Sequence, residues 1–178
     1  MRFDFLQTIY LFFLITIFSH IIFFIGCNQG RVRPPGLPKL YQCTINLTQQ
    51  GVPLSGASVL LQPLSPVQDR TWTVSGFSDE TGKVEIYTNG YFRGAPRGNF
   101  KVIITKTETI TPPFPDVMPT DPRERAKLEN MIENETKVYK VVADKFSKAE
   151  TTPFELEIKG NTEQIFDVGG VVKKKIPN

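Results

Sequence analysis

The chain has 178 residues, with 21 Lys+Arg against 18 Asp+Glu, one histidine and two cysteines. That length supports one ordinary domain with a tether, and a formal charge of +3 is too mild for a nucleic-acid surface, which needs a basic stripe with base-reading side chains. The one histidine, His20, lies in an apolar terminal run, so the rest of the chain has none for a Ser-His-Asp or Cys-His centre, a histidine general base, or an imidazole-bound zinc or iron.

The apolar run spans Phe5 to Ile25 and closes as Phe24-Ile25-Gly26-Cys27. As a helix rising about 1.5 Å per residue it is long enough to cross a bilayer core of roughly 30 Å. An apolar stretch ending in a small residue and then Cys resembles the lipobox of bacterial lipoproteins, with Phe24 where that family usually has Leu. The resemblance implies a signal peptide over residues 1–26, cut before Cys27, whose thiol then carries the lipid. The alternative is an uncut signal anchor. Arg31 and Arg33 follow the run, and flanking charge counted alone would keep that side in the cytoplasm.

Residues 27–39 read as a Pro-rich tether: Pro34, Pro35, Gly36 and Pro38 favour a stiff, extended spacer. Short β-type runs begin at Leu40. Tyr41 to Thr48 alternates, Gln49-Gln50-Gly51 turns, and Ala57 to Gln62 places Val59 and Leu61 on one side. Cys43 sits inside the first run and reads as a small buried apolar residue, with no partner for a disulfide once Cys27 is acylated. Thr71 to Phe77 is a third run. Ser78-Asp79-Glu80-Thr81-Gly82-Lys83 has the composition of a tight hairpin, with Gly82 supplying positive φ, and Val84 to Thr88 is the returning strand. Asn99 to Thr107 is a fifth run.

Residues 110–140 interrupt the pattern. Four prolines from Pro112 to Pro119 exclude regular structure, and then Asp121-Pro122-Arg123-Glu124 announces a helix through an Asp cap, Pro in the first turn and Glu three after the cap. Leu128, Met131 and Ile132 form a narrow apolar stripe, expected to seat the helix on the core. Beyond it, Phe154 to Ile158 and Gln164 to Val168 alternate around Lys159-Gly160-Asn161, which reads as a terminal hairpin. Residues 171–178, with Lys173-Lys174-Lys175, read as a solvated basic tail.

Three stretches carry a second resemblance. Gly51-Val52-Pro53-Leu54-Ser55-Gly56-Ala57-Ser58-Val59, Ser78-Asp79-Glu80-Thr81-Gly82-Lys83-Val84 and Arg97-Gly98-Asn99-Phe100-Lys101-Val102 resemble, in order and spacing, the G-x-P-L-x-G-A-x-V, T-D-x-x-G-x-F and P-G-x-Y-x-V segments of carboxypeptidase regulatory-like domains. Lys145-Phe146, Thr151-Thr152-Pro153-Phe154, Ile158-Lys159-Gly160 and Phe166-Asp167-Val168 resemble the ending of small bacterial envelope lipoproteins with that domain. The resemblance implies an all-β fold: a seven-stranded, transthyretin-like (prealbumin-like) β-sandwich over residues 40–170, with one short inserted helix, behind the hydrophobic signal or anchor segment. It also implies a cell-envelope location, membrane-anchored through the lipid on Cys27, with the domain facing the periplasm or the cell surface.

The expected function is a non-catalytic lipoprotein whose sandwich binds, spaces or assembles other envelope components, its partner an envelope protein or a glycan. The alternatives are small-ligand carriage of the transthyretin kind and a histidine-independent hydrolase. No catalytic residue, cofactor or metal is expected: Asp69, Asp79, Glu80 and Asp116 read as solvated turn acids without D-x-D-x-D spacing. Trp72 and Tyr87 read as core. Tyr91, Phe92 and Arg93 are the expected contact surface, because an aromatic pair and an Arg in the Gly-bounded segment Asn89 to Gly94 have the chemistry that anchors interfaces.

Overall fold

A computed structural model describes residues 32–65 and 72–176. The leader, Cys27, Asp69 and the start of the third run at Thr71 lie outside the described residues. The chain divides into two compact units, residues 1–37 and 38–178. In the first, the tether is not uniformly extended: the Leu37 amide donates to the Pro34 carbonyl (3.2 Å) and Gly36 takes φ 81°, so Pro35-Gly36 makes a turn. Proline presets the first corner of such a turn and glycine supplies the second.

The second unit is mostly β. Its strands are β1 (Leu40–Tyr41), β2 (Cys43–Gln49), β3 (Val52–Pro53), β4 (Ser58–Pro63), β5 (Val74–Phe77), β6 (Lys83–Glu85), β7 (Tyr87–Thr88), β8 (Phe92–Arg93), β9 (Ala95–Pro96), β10 (Gly98–Thr105) and β11 (Thr107–Ile110). Helix α1 (Pro122–Glu135) follows, then β12 (Lys137–Lys140), β13 (Glu155–Ile158), β14 (Thr162–Asp167) and β15 (Lys174–Lys175). The largest sheet runs β13-β10-β4-β5-β7-β8, and a second joins β14, β2 and β3, with β6 also on β2. In β2 every second residue is buried, which is the period of a strand with one face on a core. Ile45 and Leu47 from this sheet and Val59, Leu61, Phe100, Val102 and Ile104 from the other belong to one buried cluster. Cys43 lies in the same cluster, and burial pushes its thiol up to about 11, so it packs as a small apolar residue as expected.

The expected hairpin between the third run and Val84 to Thr88 forms in one continuous register, through Val74↔Thr88, Ser75↔Tyr87 and the bridge Ser78↔Val84. Its first half does more than return. β6 also pairs with β2 (Thr44↔Glu85, Ile45↔Val84, Asn46↔Lys83), so this strand joins the two sheets at a corner. The corner requires Gly76: a Cβ there would lie 2.4 Å from the Glu85 carbonyl oxygen. At the reversal itself Gly82 has φ 77° and the Asp79 carboxylate accepts from the Thr81 and Lys83 amides (2.8 and 3.0 Å), an Asx-type turn.

Three expectations are corrected. The C-terminal strands are not a hairpin: β13 pairs antiparallel with β10, whereas β14 pairs parallel with β2, so Lys159-Gly160-Asn161 crosses from one sheet to the other. The Gln42 backbone fixes the crossing, donating its amide to the Asn161 side chain (3.1 Å) and accepting from the Thr162 amide (2.9 Å). Placing the strands on opposite sheets lets Leu156 and Ile158 meet Phe166 and Val168 in the core from two sides. Next, the insert is closed by a ladder, because β11 pairs with β12, and the basic tail supplies β15 as the third strand of that small sheet. Finally, the helix is not seated on the core: Met131 is 49% exposed, Leu128 is half-buried, and Ile132, though buried, is not in the core cluster. The cap itself is as read, with the Asp121 carboxylate accepting from the Arg123 amide at 2.7 Å.

Candidate functional site

Side chains on the outer face of the large sheet are ordered by its register. Ser58 stands opposite Phe77, and Leu60 opposite Ser75, which in turn faces Tyr87; Tyr87 faces Arg93. Because Val74 and Gly76 point inward, Ser75 and Phe77 must point out, and Phe77 is 73% exposed. A groove of about 480 Å³ runs between Phe77 and Tyr87, lined also by Ser75, Lys83, Glu85 and Gly90.

The polar groups of this groove are held by one another. Glu85 accepts from Arg93 Nη2 at 2.6 Å and from the Tyr87 hydroxyl at 3.2 Å. The ion pair is largely solvent-exposed, so it orients the side chains more than it stabilises the fold. Asp79 also lines the groove. The hydrogen bonds of its turn, that with the Thr81 side chain first, hold its carboxyl below the usual carboxylate range.

The expected contact residues are brought to the neighbouring hairpin. Tyr87–Thr88 and Phe92–Arg93 pair as β7 and β8 around Asn89-Gly90-Tyr91, in which Asn89 has φ 53° and Gly90 φ 72°. Tyr91 at the tip is 62% exposed, Phe92 is half-buried and Arg93 reaches back to Glu85. Tyr87 is half-buried rather than core. Trp72 packs against the core, and its indole N–H is buried without a hydrogen-bond partner among the described residues.

Phe77 was not among the residues expected here, yet it is the most exposed of the aromatics lining the groove. The signal existed: alternation from Val74 sends Phe77 to the solvent side.

The acids with the most perturbed carboxyls lie elsewhere and bind their own chain. Asp167 accepts from the amides of Gly51 (2.8 Å), Gly169 (2.6 Å) and Gln50 (3.2 Å) and from the Thr48 hydroxyl (2.9 Å). These bonds, the Gly51 and Gly169 amides foremost, hold its carboxyl at about 2. Asp144 receives Lys140 and Lys174, which likewise hold it at about 2 and tie β12 to β15. The tail motif residues Phe146, Phe154 and Phe166 stack in series, with centroids 4.9 and 4.7 Å apart. Among the described residues no group of His, Cys, Asp and Glu is arranged to hold a metal ion.

Compared with family models, curated proteins and solved structures, the chain matches none.

Proposed function

We propose that this chain is a non-catalytic lipoprotein of the cell envelope, anchored through lipid on Cys27, in which a transthyretin-like sandwich serves as a binding or assembly module. The observation that carries the binding half is the outward aromatic surface at the corner strand: Phe77, Tyr87 and Tyr91 beside the Glu85–Arg93 ion pair. Large aromatic and Arg side chains that leave the core are the groups that anchor interfaces. The carboxylates with lowered pKa, by contrast, are spent on turns and strand ties. Support for the sandwich type comes from strands β2, β4, β5, β6, β10, β13 and β14 around one core, with β14 parallel to β2. Support for the anchor is the Phe24-Ile25-Gly26-Cys27 pattern.

Mass spectrometry of the protein from its native membrane tests the anchor: the expected amino terminus is acylated Cys27, and an intact Met1 overturns it. A photo-crosslinker placed at Tyr91 in the full chain tests the binding half. The expected result is capture of one defined envelope component, lost when Phe92→Ala is added; unchanged capture by the Phe92→Ala chain removes the contact surface.

A further inference from the structure

We infer that the groove between Phe77 and Tyr87 binds an uncharged oligosaccharide; this rests on the binding reading above and names the class of partner for that surface. Three properties of the groove select this chemistry. The first is shape. Phe77 and Tyr87 lie on adjacent strands in diagonal positions, since Tyr87 faces Ser75 and Phe77 is two residues further along β5. Two aromatic side chains so placed offer separate apolar faces to the C–H faces of successive sugar rings.

The second property is the mixture of hydrogen-bonding groups between the rings. Glu85 accepts, Lys83 donates, the hydroxyls of Tyr87 and Ser75 do both, and Arg93 adds donors beside Glu85. Vicinal sugar hydroxyls also donate and accept, so one diol can satisfy a carboxylate and a guanidinium together. The groups are already oriented by the Tyr87–Glu85–Arg93 bonds, which lowers the ordering cost of binding.

The third property is charge. Asp79, Lys83 and Glu85 line the groove and Arg93 pairs with Glu85 from the next hairpin, so two acids meet two bases and an anionic polymer finds no excess of positive charge. The basic residues Lys174 and Lys175 lie instead on β15 of the insert sheet. An uncharged glycan is therefore the occupant whose charge complements this groove.

The test is isothermal titration of the full chain in detergent with chitotetraose and with cellotetraose, two uncharged β-linked probes, and with tetragalacturonate as an anionic control. Saturable binding of at least one uncharged probe is expected, weakened about tenfold by Phe77→Ala, whose side chain is mostly in solvent and whose loss leaves the melting curve intact. No saturable heat with either uncharged probe, tighter binding of tetragalacturonate, or equal binding by the Phe77→Ala chain each overturns the inference. So does a concentration-dependent dimer abolished by Phe77→Ala, which would make this face a contact between copies. If the Tyr91 crosslinker captures a protein while both sugars fail, the glycan assignment falls and the binding-module reading stands.

Discussion

The two-sheet body and the insert sheet are built from the same kinds of strand, yet they treat apolar side chains in opposite ways. In the body, β2 and β10 bury Ile45, Leu47, Phe100, Val102 and Ile104 almost completely. In the insert, all four residues of β11 are exposed, and Phe114, Val117 and Met131 face solvent. The difference is one of layers. A sheet buries apolar area only when a second layer covers one of its faces. The body has two sheets meeting at a shared corner strand. The insert sheet is held by its ladder, with central β12 paired on both sides, and by Asp144 between Lys140 and Lys174.

Truncation should break this contrast most visibly. Phe100→Ala should cost about 3–5 kcal/mol, read as a lower denaturation midpoint, because it empties a fully packed position. A loss below about 1 kcal/mol would mean that the two sheets do not share a tight core.

Acid should act next, and differently on the two regions. Asp167 has a folded-state carboxyl at about 2, below its ordinary 3.8, so its contribution is present above pH 4 and is lost as pH falls through about 2. Asp167→Asn should lower stability at neutral pH and flatten the fall between pH 4 and 2, measured by denaturant melts across that range. An unchanged acid profile would show that the clip on Gly51 and Gly169 is idle.

The same sign applies to Asp144, but its readout is local. Asp144→Asn should speed amide exchange in Lys137–Lys140 and Lys174–Lys175 while leaving Ile45 and Val102 unaffected, since it removes a tie between insert strands only. Faster exchange throughout would join the two regions into one cooperative unit. The smallest effect belongs to Met131→Ala, expected to stay within about 0.5 kcal/mol in the same melts because the side chain is half in solvent.

Tyr91, Phe92 and Arg93, the contact residues expected from the sequence, lie on the hairpin beside the groove and are not among the residues that line it. The Gly-bounded segment Asn89 to Gly94 pointed to an outward aromatic, and Tyr91 is exposed where Asn89 and Gly90 take positive φ. Phe77 could have been found by parity along Val74-Ser75-Gly76-Phe77. The groove was not legible, since its Glu85–Arg93 pair joins residues on β6 and β8, which no expected hairpin brings together. The helix shows the same limit. Asp121 and Pro122 predicted where it starts, but the stripe of Leu128, Met131 and Ile132 could not say whether a core lay beneath it.

The sequence by itself determined the local structure: alternating strands, turns set by Gly51 and Gly82, the helix cap and the buried Cys43. These follow from the dihedral preferences and side-chain period of a few adjacent residues. Only the tertiary structure decided that β14 runs parallel to β2 instead of returning along β13, that β6 serves two sheets, and that the lysine tail becomes the third strand of the insert sheet. The reason is that strand pairing satisfies backbone groups with whichever edge is open, and an open edge is a property of the assembled sheets.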